Sequence, residues 1–322
     1  MISVVNLVLP FFGLIFLGFG VARIKQQPVE ALGWMNTFII YVALPALFFQ
    51  LISRTPVSEL TRWGFILGST LSTFLAFCLM FSIGMIRSRG QIPESAVQGL
   101  AAAYGNIGYM GPGLALLAFG PAAAVPVALI FCFDNMLHFV MAPFLMAISG
   151  GEKRGRLELA LDVVRKIAFH PFIIATIVGV GAALFEVRPP QPINQLLEFL
   201  AQAAAPCALF AMGVSLALRP VKRIPKELYF IVPIKLIIQP IGIYVILSFI
   251  GDFPPVWIYA AVLLAALPTA TNVFVIAQQY GVWVERASTS ILATTICSIL
   301  TLTTFIYLMK SGILPPDLFP GQ

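Results

Sequence analysis

The chain has 322 residues, 60% of them hydrophobic and 10% charged, with a mean hydropathy of +0.97. That balance lies far outside the range of soluble globular domains and makes a lipid bilayer the chain's solvent. The formal charge of +6 sits in short basic clusters between apolar runs, without the continuous stripe of a nucleic-acid-binding protein.

A hydrocarbon core of about 30 Å is crossed by roughly 20 apolar residues in a helix. Ten such runs follow one another: residues 4–22, 31–53, 63–86, 94–119, 122–148, 168–187, 192–218, 228–250, 254–281 and 286–309. The first is read as a retained helix, because Met1-Ile2-Ser3-Val4 has no basic n-region and Arg23 and Lys25 follow without a small-residue cleavage site. If the first loop is cytoplasmic, fourteen of the nineteen Lys and Arg residues fall on that side. Arg54, Arg62, Arg188 and Lys310 fall on the other, and Lys235 lies within a run. The positive-inside bias therefore predicts a multi-pass protein of the cell (inner) membrane with both termini outside the cytoplasm. The sizeable loop between the fifth and sixth runs is cytoplasmic in this reading. Its Arg156–Lys166 stretch reads either as a basic amphipathic helix on the inner leaflet or as a solvated connector. Cys78, Cys132, Cys207 and Cys297 all fall in apolar runs without CxxC spacing, which indicates neither a disulfide framework nor a metal site.

The two halves repeat each other at an offset of 161 residues. Pro10-Phe11 falls on Pro171-Phe172, Gly18 and Gly20 on Gly179 and Gly181, Pro45 on Pro206, Phe49 on Phe210, Pro93 on Pro254, and Gly120 on Gly281. Prolines and glycines are informative here because each has specific backbone consequences. The expected organisation is a first five-helix repeat over 1–148, a cytoplasmic linker over 149–167 and a second five-helix repeat over 168–322. An odd number of spans per repeat inverts one half against the other and puts the working site at their interface.

The fourth run contains Tyr104-Gly105-Asn106-Ile107-Gly108-Tyr109-Met110-Gly111-Pro112-Gly113, too rich in glycine and proline for a regular helix. The ninth carries Leu267-Pro268-Thr269-Ala270-Thr271-Asn272 at a similar depth. Backbone released from helical pairing inside a membrane must be buried in protein or line a wet cavity. Half-helix N-termini directed into mid-membrane favour an anionic ligand. The candidate substrate-binding residues are therefore Asn106, Gly105, Gly108, Tyr109, Pro268, Thr269, Thr271 and Asn272. Pro45 and Pro206, matched in the second and seventh runs, are candidate helix-kink or site-lining residues. The competing reading of the glycines is close helix packing.

These residues resemble the auxin efflux carrier family, in its bacterial branch of organic-acid permeases. The resemblance is carried by Asn36-Thr37-Phe38 with Ala43-Leu44-Pro45-Ala46-Leu47, by Asn106-Ile107-Gly108-Tyr109-Met110-Gly111-Pro112, and by Leu267-Pro268-Thr269-Ala270-Thr271-Asn272 with Ala277-Gln278-Gln279-Tyr280-Gly281. It implies an all-α polytopic membrane protein with ten transmembrane helices as two inverted five-helix repeats, in which the broken fourth and ninth helices cross where a small organic anion binds. It further implies elevator-like movement of a transport domain and a homodimer. Auxin, malate and malonate are the associated substrates. Gly105 and Val273 stand where a crossing proline is expected, and the long central loop of the long plant members is absent.

Asp134 and His138 lie i, i+4 in the fifth run and share a helix face, with Asn135 beside them. Ionisable groups at such depth mark ion or proton paths. The pair is read as a proton relay, against a static hydrogen-bonded brace. Proton coupling is preferred, with sodium as the alternative. Lys235, roughly two turns into the eighth run, is expected to snorkel to the cytoplasmic interface, with pairing to Asp134 or to substrate as the other reading. Glu198 and Gln202 are candidate outer-vestibule residues. HExxH, GxSxG and Walker motifs are missing, so neither an enzyme nor a cofactor is expected. The expected function is secondary active transport of small organic anions, and the alternative is an anion channel or membrane sensor.

Overall fold

A computed structural model describes residues 2–25, 28–149, 158, 161, 164, 165, 168, 169, 171–218, 224–251 and 253–319. Most of the expected amphipathic stretch Arg156–Lys166, most of the linker and several loop cations lie outside the described residues. Among those described the chain is helical throughout, and β-type pairing is confined to one isolated bridge.

The helices in chain order are α1 (Ile2–Lys25), α2 (Gly33–Phe38), α3 (Leu44–Ser53), α4 (Val57–Leu60), α5 (Trp63–Arg87), α6 (Ile92–Ala103), α7 (Gly111–Phe119) and α8 (Ala124–Ile148). After the linker come α9 (Pro171–Leu184), α10 (Gln191–Leu218), α11 (Leu228–Pro233), α12 (Gln239–Ile250), α13 (Pro255–Ala265), α14 (Asn272–Tyr280) and α15 (Val284–Lys310). Among the described residues, six stretches are long and apolar enough to cross a membrane: Gly33–Ser53, Val57–Arg87, Pro121–Ile148, Gln191–Leu218, Leu228–Ile250 and Val284–Lys310. Ile173–Leu184 and Pro255–Ala265 are shorter apolar helices.

Two of these stretches contain a π-helical turn. Ile39–Ala43 joins α2 to α3, and Ile234–Ile238 joins α11 to α12. At each exit an amide reaches back five residues, Leu44 N–H to Ile39 O and Gln239 N–H to Ile234 O, and the next residue is a proline, Pro45 or Pro240. A proline has no N–H to give and its ring crowds the carbonyl four residues back, so the wider turn relieves the clash. Pro206 lies inside α10, which continues through it as α-helix.

Gly120 ends α7 with φ +74° and Gly281 ends α14 with φ +66°. Only glycine adopts that conformation without strain, which fixes the stop of both nine-residue helices.

In lipid the hydrophobic effect does not drive helix against helix, so close packing does. α1 packs along α10, and α3 packs on both α9 and α10. At the first contact a side chain on Gly18 would strike the Phe210 carbonyl oxygen, and one on Gly213 would strike the Ile15 carbonyl oxygen. At the contact of α3 with α9, a Cβ on Gly179 would lie 3.1 Å from Ile52 Cβ and 3.5 Å from Phe49 O. The remaining helices gather around α5, α6, α8 and α13, with Phe77, Met80, Leu100 and Val273 in one of their apolar cores. Between the two groups, Phe48 of α3 stacks on Phe131 of α8 at 4.5 Å, and Cys132 Sγ lies 3.2 Å from Thr176 Oγ1.

Candidate functional site

α6 stops at Ala103 and α7 starts at Gly111, while α13 stops at Ala265 and α14 starts at Asn272. The intervening segments cross. Asn106 N–H donates to Pro268 O and Ala270 N–H to Tyr104 O, both at 2.8 Å, around an antiparallel bridge between Gly105 and Thr269. Each break thus satisfies part of the backbone that the other exposes, as a low-dielectric site demands.

Side chains supply the rest. Thr269 Oγ1 donates to Ala101 O (2.6 Å), and its own N–H is received by Thr294 Oγ1 of α15 (3.1 Å). Gln239 Nε2 donates to Ala103 O (3.0 Å), and Lys235 Nζ donates to Ala265 O (2.5 Å) and to Gln239 Oε1 (2.7 Å). The terminal carbonyls of α6 and α13, the negative ends of two half-helices, are therefore capped from a single π-containing stretch.

Beside the crossing lies a cavity of about 350 Å³, lined among others by Gly105, Asn106, Gly108, Tyr109, Thr271 and Asn272. It also meets Tyr104, Asn135 and His138, and reaches past Pro143 and Tyr280 near the C-terminal ends of α8 and α14. Its polar wall is ordered. Asn272 Nδ2 donates to the Tyr104 hydroxyl (2.9 Å), which donates in turn to Asn135 Oδ1, and Asn135 Nδ2 is held by Phe131 O (2.6 Å). The Tyr104 ring stacks on His138, with centroids 4.1 Å apart and planes within 6°.

His138 Nδ1 is 2.6 Å from the Asp134 carbonyl oxygen. A carbonyl only accepts, so Nδ1 carries a proton, and in the neutral ring the lone pair lies on Nε2, for which the described residues offer no partner. Asp134 directs its carboxylate elsewhere: Oδ2 accepts from Thr73 Oγ1 (2.8 Å), and Oδ1 has no partner among the described residues. The two expected relay residues are therefore joined through backbone, and only His138 lines the cavity.

The other expected site residues divide in the same way. Pro268 and Thr269 are buried in the crossing and do not line the cavity. A Cβ on Gly105 would meet Leu264 O at 3.2 Å and Lys235 Nζ at 3.3 Å, and one on Gly108 would meet the Phe131 ring at 3.0 Å, so both positions require a small residue. Asn106, 2% exposed, donates from Nδ2 to Met212 Sδ of α10 at 3.0 Å, a weak acceptor. Pro45 lines a separate apolar groove with Phe49, Ile174 and Leu197; Pro206, Glu198 and Gln202 are exposed and line neither.

The expectation that Lys235 snorkels to the interface is corrected. Its side chain is fully buried and its ammonium sits at the crossing. Gln239, Thr73, Thr294 and Tyr104 are the other participants that sequence reasoning missed. The available signal was Lys235 and Gln239 at i, i+4 in an otherwise apolar run.

Comparison with known proteins places the chain among membrane transporters. The membrane transport protein family matches residues 3–152 and again residues 151–306. A Rhizobium meliloti protein named "Putative malonate transporter" is 60% identical over 320 residues, covering 99% of this chain and all of that one. Two proteins named only as uncharacterized transporters are more distant. One from Methanothermobacter thermautotrophicus is 26% identical over 307 residues, covering 92% of this chain and 95% of its own. The other, from Escherichia coli K12, is 22% identical over 311 residues, covering 94% and 96%. The relatives are transporters rather than enzymes. A helical, apolar chain matched twice over nearly its whole length belongs to the membrane transport protein family, the auxin efflux carrier-like transporters.

Proposed function

We propose that the protein is a secondary active carrier of small organic anions, with malonate and related dicarboxylates as its substrates. The observation that carries this reading is the crossing itself. Two half-helices begin beside a cavity of about 350 Å³ whose wall holds Asn106, Thr271 and Asn272, so helix N-termini and amide donors converge without any carboxylate among them. The name of the 60% identical relative supports malonate as the first probe.

In this reading the chain makes ten crossings of the inner membrane, as two inverted five-helix repeats over 1–148 and 168–322 with a cytoplasmic linker between them. The close approaches of Gly18 to Phe210 and of Gly179 to Phe49 support it, because both partners are related by the same 161-residue offset. α7 and α14 are related by that offset at both ends. With both termini outside, the cavity reaches toward the cytoplasmic ends of α8 and α14, which makes this an inward-facing arrangement. Transport proceeds by an elevator movement of the helices around the crossing, in a homodimer. Import with a proton fits the wall, since the lone pair on His138 Nε2 can take a proton that the arriving anion shares, with Asp134 holding the ring through its carbonyl.

The test is malonate binding and counterflow with purified protein. Wild type in proteoliposomes loaded with unlabelled malonate accumulates labelled malonate transiently; equilibration without accumulation identifies a channel. Asn106→Ala and Asn272→Ala are each expected to weaken malonate affinity by about 10- to 150-fold, the range for losing a hydrogen bond to a charged group. Unchanged affinity in both folded variants removes these amides from the site.

A further inference from the structure

Among the described residues, Asp134 and Lys235 are the buried side chains with a formal charge. They are linked by hydrogen bonds running in one direction. Lys235 Nζ donates to Gln239 Oε1 (2.7 Å), Gln239 Nε2 to Thr73 Oγ1 (3.4 Å), and Thr73 Oγ1 to Asp134 Oδ2 (2.8 Å). That polarity suits an ammonium at one end and a carboxylate at the other.

The position of the ammonium is the informative part. Nζ donates to the terminal carbonyl of α13 at 2.5 Å and lies 3.3 Å from where a Gly105 side chain would begin, so it sits at the end of α13 and beside the break that follows α6. Gln239, one of its own acceptors, caps the terminal carbonyl of α6. In transporters with discontinuous helices, unwound carbonyls and half-helix C-termini are the groups that hold a coupling metal cation. Here the terminal carbonyl of α13 already faces a cation that cannot leave, and that of α6 is held by the glutamine which the same cation contacts.

We propose that the Lys235 ammonium is the resident cation of the crossing, standing where a coupling metal ion would otherwise bind, and that it makes both the fold of the crossing and its affinity for an anion independent of sodium. Only the affinity half rests on the transport-site reading above. The Lys235 ammonium occupies Ala265 O directly and reaches Ala103 O through Gln239, and its charge offsets the negative ends of α13 and α6 in a way that water cannot at this depth. An alanine there leaves the same oxygens beside a void open to a small free cation.

The experiment measures melting of the full-length protein, ligand-free and with malonate, in sodium, potassium, methylammonium and choline chlorides at equal ionic strength. Wild type is expected to melt at one temperature in all four salts and to bind malonate within twofold across them. Lys235→Ala is expected to melt lower and bind malonate at least tenfold more weakly in choline, and to recover on both counts in methylammonium or sodium. A wild type that gains stability or affinity from sodium overturns the proposal. So does a Lys235→Ala variant equal to wild type in choline, or one that no small cation restores. If Lys235→Ala does not fold, the wild-type salt series decides, together with Lys235→Arg, which must fold and stay sodium-insensitive. A wild type blind to malonate in every salt refutes the substrate assignment alone, because the ligand-free series still tests Lys235.

Discussion

Where α1 lies along α10, Gly18 and Gly213 bring two helices together so closely that a side chain at either position would meet a carbonyl oxygen of the other. At the crossing, Gly105, Gly108, Gly111 and Gly113 fall where α6 has ended and α7 is only starting. In the first region the backbone keeps its hydrogen bonds within each helix, and glycine merely removes volume. In the second the helices have given up their hydrogen bonds, and every released group needs a partner from elsewhere: the opposite break, Thr269, Gln239, Lys235 or Thr294. Proximity in a membrane needs only small residues, whereas interruption needs a polar network, and so the polar-walled cavity lies at the interruption.

That contrast can be broken in order of effect. Gly213→Val drives a branched side chain into the Ile15 carbonyl and the Phe19 amide, so α1 and α10 must part. Overpacking against backbone is expected to cost about 3 kcal/mol, the upper end for such changes, read as a lowered midpoint in thermal unfolding in detergent. Wild-type stability in that variant would mean the close approach is not required. Gln239→Leu keeps the volume but strips the Ala103 carbonyl and one Lys235 contact of their partner. A buried group left unsatisfied costs about 1–3 kcal/mol, and malonate binding is expected to fall with it, which sets this variant apart from Gly213→Val. The smallest effect is expected at Gly20, which also lies on α1 but where an added Cβ would meet nothing within 4 Å. Gly20→Ala is expected to be neutral or stabilising by about 0.5 kcal/mol, the helix-propensity gain; a clear loss would show that the Gly20 face of α1 is also closely packed.

Much of this architecture is legible in the residues, for reasons that separate one part from another. Runs of apolar residues have the length a membrane demands, so the ten stretches fall on helical segments whose ends agree within a few residues. The interruptions are equally visible, because Gly105 to Gly113 and Pro268 to Thr271 combine residues that a helix rejects. What holds the crossing is not legible. Thr269 reaches Ala101 across 168 positions and Gln239 reaches Ala103 across 136, distances over which no local pattern carries information. The burial of Lys235 is hidden for a related reason. A span apolar on all sides does not show which face looks inward, and the π turn at Ile234–Ile238 alters the register in which that lysine is presented.

Two hydrogen bonds described above cross from the α1, α3, α9 and α10 group to the helices around the crossing, and sulfur is a partner in both: Asn106 to Met212 and Cys132 with Thr176. Thioethers and thiols make weak hydrogen bonds, and a methionine side chain changes shape easily. In the elevator movement proposed above, such a seam would act as a lubricated plane. Sliding one group of helices past the other would strain little directional bonding there, while the crossing, stitched by its own amides, hydroxyls and one ammonium, would travel as a rigid piece.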